Sequence, residues 1–199
     1  MITCKLIELF DFRMPLYFKG IRIAKENDVS IDKIGKFRKK IYLESKYIEE
    51  NKIPEVWIDE YDKEAINICA TKGDEIISAI RLIPKNDIPL PIEKYFNLAN
   101  SLPKNTFEIS KAVVLKEYRG GSRLLFLALM QRVYRYAKAN NIPGFVSFMP
   151  DWLANSTSKM GMKLFPLEQN PLSQKELDQR KEMQGYFQKQ SITPYYSLA

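Results

Sequence analysis

Six charged residues in the middle of the chain have the types and spacing of a polar reaction site: Asp59, Asp62 and Glu108 against Arg38, Arg81 and Lys111. Asp59 and Asp62 stand three apart in Asp59-Glu60-Tyr61-Asp62, a solvated acidic turn unless bases meet it. Arg81 sits among Ile80, Leu82 and Ile83, where an unpaired charge is costly and a carboxylate partner is expected. Arg38 falls on the apolar side of a helical pattern, within the basic run Lys36-Phe37-Arg38-Lys39-Lys40. In Glu108-Ile109-Ser110-Lys111, strand alternation puts Glu108 and Ser110 on one face and Lys111 on the other. Balanced in sign, the six can form an ionic network lining a cleft. The chain has no histidine, which excludes Ser-His-Asp and Cys-His nucleophiles. Zinc sites with the usual Cys/His ligands are not expected on the same grounds, nor is any other metal. What remains is proton transfer by a carboxylate, Tyr or Lys, and charge stabilisation by cations and backbone dipoles.

Several elements must position these groups. The central one is Phe107–Leu129, where a half-buried strand turns at Tyr118-Arg119-Gly120-Gly121-Ser122 and enters a helix. That helix shows Leu125, Leu129, Val133 and Tyr136 on one face. Two glycines permit close backbone approach, and a helix start presents free N–H groups and a positive dipole end. Arg119, Gly120, Gly121, Ser122 and Arg123 are therefore a candidate anion-binding turn, though an ordinary strand-to-helix turn has the same composition. Upstream, residues 16–25 alternate as a strand, and a helix over about 31–49 starts near Ser30 or Asp32. Residues 50–62 read as an irregular acidic loop. Ala65–Thr71 and Glu75–Ile83 form a hairpin about Lys72-Gly73-Asp74. Pro91 opens a short helix. Downstream come a strand over 144–149, a helix over 151–160, a strand over 161–167, a polar helix over 171–183 and an extended segment over 186–197. This order indicates an α+β fold with a mixed, mostly antiparallel sheet flanked by helices.

With 199 residues, 45% hydrophobic and 28% charged, the chain suits one globular domain, with 168–199 as a C-terminal elaboration. No apolar run approaches the roughly 20 residues that span a membrane, and the N-terminus lacks a signal peptide's apolar centre. Cys4 and Cys69 form no disulfide framework, so a reducing cytoplasm is expected. The net charge of +7 suggests an anionic partner: a nucleic acid, a phosphorylated cofactor or an acidic protein. No zinc finger, helix-turn-helix or RNP-type signature is present, so nucleic acid is not expected.

In order and spacing these residues resemble the autoinducer (acyl-homoserine-lactone) synthases and the related N-acyl amino acid synthases, branches of the GNAT acyltransferase fold. The resemblance runs from about Arg38 to about Leu167. Arg38 precedes the aromatic Tyr42 by four, and Asp59 and Asp62 fall in a D-x-Y-D-x-x-A pattern closest to the amino acid synthases. Arg81-Leu82 ends a strand, Phe96 follows, and Glu108-Ile109-Ser110-Lys111 stands where those families carry E-x-S-R. Two residues depart from the pattern: Lys111 replaces an arginine, making any contact there a point-charge contact, and Tyr42 replaces the phenylalanine of lactone synthases. The glycine turn is also shorter than the usual pyrophosphate loop.

The resemblance implies a GNAT-like fold and an N-acyltransferase that moves a fatty acyl group from a thioester to an amine without an acyl-enzyme. It implies catalytic roles for Glu108, Arg81 and Ser110, with Glu108 drawing off the amine proton through water. Arg38, Tyr42, Trp57, Asp59, Asp62, Phe96 and Lys111 would shape the acceptor pocket. Val113, Val114, Leu115 and the turn Arg119-Gly120-Gly121-Ser122-Arg123 would hold the thioester and phosphopantetheine arm. Phe126, Phe145 and Phe148 would face the acyl tail. The donor would be acyl carrier protein or acyl-CoA, the former an acidic partner for Arg119, Arg123, Arg132, Arg135 and Lys138. An acetyl-CoA-dependent GNAT enzyme, an acyl-homoserine-lactone synthase and a non-catalytic basic binding module remain as alternatives.

Overall fold

The computed structural model describes residues 17–18, 20–50, 54–119, 123–181 and 183–199. Among them eight strands form one sheet: β1 (Tyr17–Phe18), β2 (Ile21–Ile23), β3 (Ile66–Lys72), β4 (Glu75–Pro84), β5 (Phe107–Val114), β6 (Gly144–Pro150), β7 (Leu164–Pro166) and β8 (Ile192–Leu198). Their spatial order is β1-β2-β3-β4-β5-β6-β8-β7, and β5 and β6 are the one parallel pair. The helices are α1 (Ile31–Glu44), α2 (Pro91–Tyr95), α3 (Arg123–Ala139), α4 (Asp151–Lys159), α5 (Gln174–Lys181) and α6 (Gln184–Lys189), with a 3-10 turn over Glu60–Lys63. This is the mixed α+β architecture expected from the order of elements.

The hairpin about Lys72-Gly73-Asp74 forms as read, with Gly73 in the left-handed region at φ 59°. Four expectations are corrected. Residues 16–25 are not one strand: the chain reverses at Gly20, φ 75°, into the antiparallel pair β1–β2. The first helix stops at Glu44 rather than about 49, because Lys46 turns to φ 54° and breaks the ladder. Within 50–62, Asp59 caps a 3-10 turn instead of lying in irregular chain. The end of the chain is not extended throughout 186–197, since α6 reaches Lys189 before β8 begins. Aromatic packing of Tyr186 and Phe187 explains that helical turn.

Cross-strand register sorts the side chains between the two faces of the sheet. Asn67 pairs with Arg81, Arg81 with Ser110, and Glu108 with Val146, so these residues share one face. Arg38 of α1 reaches Asn67 and puts α1 on that face. The opposite face carries Phe145, whose ring meets Tyr134 of α3 edge-on at 5.9 Å. Leu125, Leu129, Val133 and Ala137 are the buried stripe of α3, with Tyr136 only half-buried beside it. Among the described residues no helix is long and apolar enough to cross a membrane.

Candidate active site

The acids and bases separated in sequence do meet. Arg38 Nη1 donates to Asp62 Oδ1 at 2.7 Å, and Arg81 Nη1 lies 2.6 Å from Asp59 Oδ1 and 3.2 Å from Asp62 Oδ1. Arg38 Nη2 also donates to the Asn67 side-chain oxygen. Lys111 Nζ takes Asp59 Oδ2 at 2.7 Å, and Arg81 Nε donates to Ser110 Oγ at 3.0 Å. The two aspartates are fixed locally as well: Asp62 Oδ2 accepts the Asp59 N–H at 3.0 Å, and Asp59 Oδ1 accepts the Tyr61 N–H at 3.1 Å. This reciprocal capping is why D-x-x-D folds as a 3-10 turn and presents both carboxylates inward. Side chains of Arg38, Arg81 and Asp62 are at most 1% exposed, while Asp59 retains 28%. Burial pushes the Asp59 carboxyl up, but Arg81 and Lys111 outweigh it and hold the group well below the usual carboxylate range.

Lys111 departs from the strand alternation expected of it. Its φ is 46°, and Lys111 and Ala112 together lie opposite Ile80, between the pairs Ala79–Val113 and Arg81–Ser110. Two residues against one is a β-bulge, and it turns Lys111 onto the Arg81 face beside Ser110. There its ammonium stands 4.1 Å from the centroid of the Trp57 ring. Burial, followed by repulsion from Arg81, lowers the Lys111 ammonium to about 8 against the pull of Asp59.

Glu108 is on the same face with no cation bonded to it. It is fully buried; Oε2 accepts the Ile92 N–H at 2.8 Å, and Oε1 has no hydrogen-bond partner. Burial raises its carboxyl to about 8, opposed by the Ile92 N–H and the more distant Arg81 charge. Glu108 marks a fork in the sheet. β5 and β6 pair only at Phe107–Phe145 and Glu108–Val146, and beyond that point they part. The carboxyl therefore stands where the two strands stop pairing.

An aromatic wall runs from the ionic network past this fork. Trp57 and Tyr42 meet edge-on at 4.6 Å, Tyr42 and Tyr47 at 5.8 Å, and Tyr47 and Tyr186 at 5.1 Å. Tyr186 leads to Phe148 at 6.2 Å, and Phe148 to Phe96 at 5.5 Å and Phe187 at 6.2 Å. Burial pushes the Tyr42 hydroxyl up to about 12, so it stays neutral beside the arginines.

Most of the residues singled out from sequence are thus brought together: Arg38, Tyr42, Trp57, Asp59, Asp62, Arg81, Glu108, Ser110 and Lys111, with Phe96 at the far end. Others are not. The sheet divides the three phenylalanines, leaving Phe148 with Glu108 and Phe145 under α3, the helix that carries Phe126. The Leu115 N–H is committed to Ile77 O at 2.9 Å and is no free donor. Ser78 Oγ and Arg119 Nε bind the Val113 and Val114 carbonyls, both at 2.8 Å. Gly120, Gly121, Ser122 and the side chain of Arg123 lie outside the described residues. Of the basic row, Arg132 pairs with Glu26 at 2.8 Å, while Arg135 and Lys138 are exposed. Sequence reasoning missed Asn67, Tyr47, Tyr186 and Phe187. Asn67 left a signal, an amide between Ile66 and Ile68 in an apolar strand.

Solved structures share this arrangement of strands and helices. The acyl-homoserine lactone synthase LasI is 14% identical, the match covering 89% of this chain and 88% of that one, with a TM-score of 0.64. BjaI, a CoA-dependent acyl-homoserine lactone synthase solved with SAM and isopentyl-CoA, is 17% identical over 84% of this chain and 74% of its own, at 0.63. FeeM, an N-acyl amino acid synthase from uncultured soil microbes, is 14% identical over 89% and 94%, at 0.56. No curated protein sequence matches the chain significantly. The sheet is GNAT-like, and the family match makes the protein an acyltransferase. The chain belongs to the N-acyl amino acid synthase FeeM family, whose model matches residues 33–150, more than half its length.

Proposed function

We propose that the protein joins a fatty acyl group, carried as a thioester of acyl carrier protein or CoA, to the amine of an amino acid. The observation that supports this best is Glu108: a buried carboxyl with an open oxygen, raised to about 8, at the fork of β5 and β6. A thioester is already activated, so the amine attacks the carbonyl carbon directly. The C–N bond forms as the C–S bond breaks; Glu108, through water, takes the amine proton, and the departing thiolate takes one up. Backbone N–H groups along 111–114 are the candidates for holding the developing oxyanion, the Leu115 N–H being committed to Ile77 O. The network of Arg38, Asp62, Arg81 and Asp59 holds the wall against which Ser110 and Lys111 are set. Trp57, Tyr42, Tyr47 and Tyr186 offer the acyl tail an apolar path. The net charge of +7 supports docking of an acidic carrier protein.

The test is incubation of the purified protein with long-chain acyl-carrier protein, long-chain acyl-CoA and acetyl-CoA, each with a panel of amino acids, read by mass spectrometry. Long-chain N-acyl amino acids are expected. Acetylated amines alone, or homoserine lactones from S-adenosylmethionine, would replace this reading by one of its alternatives.

A further inference from the structure

The cations of the Glu108 face are committed to acids of the protein itself. Arg38, Arg81 and Lys111 are bound to Asp59 and Asp62, Lys85 lies 2.7 Å from Glu93, and Lys94 is paired with Glu60. Each oxygen of Asp59 and Asp62 already accepts a hydrogen bond. A substrate carboxylate entering beside this network would therefore find no unshared positive charge in it.

Arg180 of α5 is different. It is half-buried, and among the described residues no carboxylate lies within ion-pair distance of it. Glu176 acts on it only from further away, its carboxylate accepting the Ser173 N–H at 2.8 Å. Arg180 Nε is anchored on Tyr95 O at 2.9 Å, and its guanidinium carbon stands 4.6 Å from the Phe96 ring and 4.8 Å from the Phe187 ring. The anchor orients the side chain without using the two terminal nitrogens, and those form the fork that matches a carboxylate. Its anchor and that of Glu108 are the two ends of one helical turn. Glu108 holds the Ile92 N–H at the start of α2 and Arg180 holds the Tyr95 carbonyl at its end; the two groups point in opposite directions along the axis, so the side chains bound to them stand on the order of 10 Å apart. An amine and a carboxylate on neighbouring atoms, with a water on the amine side, would span that separation. Arg180 and Phe187 lie beyond residues 33–150, the segment that the family model matches.

We propose that Arg180 binds the carboxylate of the acceptor, so that the C-terminal helices α5 and α6 select amino acids over simple amines. This deepens the amino-acid reading above and rests on it.

The test compares amino acids with their carboxamides as acceptors for the full-length protein and its Arg180→Ala and Arg180→Lys variants. Wild type should favour the acid. Arg180→Ala should raise KM for the acid about ten- to a hundred-fold, as loss of a charged hydrogen bond does, and leave KM for the carboxamide and both kcat values unchanged. Arg180→Lys should recover part of the preference. An Arg180→Ala protein that keeps the wild-type ratio of acid to carboxamide overturns the proposal, as does a wild type indifferent to the carboxylate. Thermal melting shows whether Arg180→Ala is folded, and if it is not, Arg180→Lys and Arg180→Gln carry the same comparison. If wild type acylates no amine, the proposed function falls separately. Calorimetric binding of an N-acyl amino acid against its carboxamide then decides the role of Arg180, and equal affinities would refute it.

Discussion

Asp59 and Glu108 are carboxyl groups on one face of one sheet, yet their surroundings drive them in opposite directions. Asp59 is held down by Arg81 and Lys111, while Glu108 is pushed up to about 8 by burial with no cation bonded to it. A carboxylate locked among cations carries a fixed charge over the whole physiological range and can only position its neighbours. One isolated in an apolar wall, with a single N–H donor and an open oxygen, can gain and lose a proton near neutral pH. On the proposed reading the ionic network is scaffold and Glu108 the reactive group, a division that substitution can break.

The largest effect should come from Glu108→Gln. The amide keeps the shape and the Ile92 hydrogen bond but cannot accept a proton, so turnover should drop roughly 10²–10⁴-fold with the fold intact. The same variant tests the electrostatics. In the folded protein the carboxyl titrates at about 8 and in the unfolded chain near 4.5, so the folded state holds the extra proton between those values. Stability must then fall as pH rises from about 4.5 to about 8. Urea midpoints across that window should show the slope in wild type and lose it in Glu108→Gln. An unchanged slope would mean that Glu108 is not the buried acid described here.

Arg81→Met should behave in the reverse way. It removes the one cation shared by Asp59 and Asp62 and leaves buried charge uncompensated, which costs about 3–5 kcal/mol of stability. Chemical denaturation measures it. A loss of activity without a loss of stability would move Arg81 from scaffold to reaction.

Much of this division was legible from residue types alone. A lone arginine between Ile80 and Leu82 demanded an acid, and Asp59-x-x-Asp62 was the acidic motif that the chain offered. The alternation of β5 correctly set Glu108 and Ser110 together, because side chains two apart share a face. Lys111 was misplaced because a bulge adds a residue to the period, and its positive φ has no glycine or asparagine to announce it. The division of Phe145 from Phe148 followed from the same period once both lay in one strand. The aromatic wall was illegible for another reason: Tyr47 and Tyr186 are brought together by tertiary packing, which no local pattern encodes. The close approach of α6 to the end of α1 belongs to that packing, since a Cβ at Gly185 would stand 2.3 Å from Lys46 O.

The smallest expected effect refines the comparison most. Lys111 is held from two sides, by Asp59 Oδ2 at 2.7 Å and by the face of Trp57 at 4.1 Å. If the ring contributes, Trp57→Leu should cost about 0.5–2 kcal/mol more in wild type than in a Lys111→Met background, the range for a desolvated cation–π contact. Removing the ring also takes away attraction for the charged form, so the Lys111 ammonium should fall further below its present value of about 8. A double-mutant cycle by urea denaturation reads the coupling directly. Zero coupling would leave Asp59 as the sole anchor of Lys111. The charge set over the site would then depend on one ion pair, and the bulge that turns Lys111 toward it would be the feature to remove next.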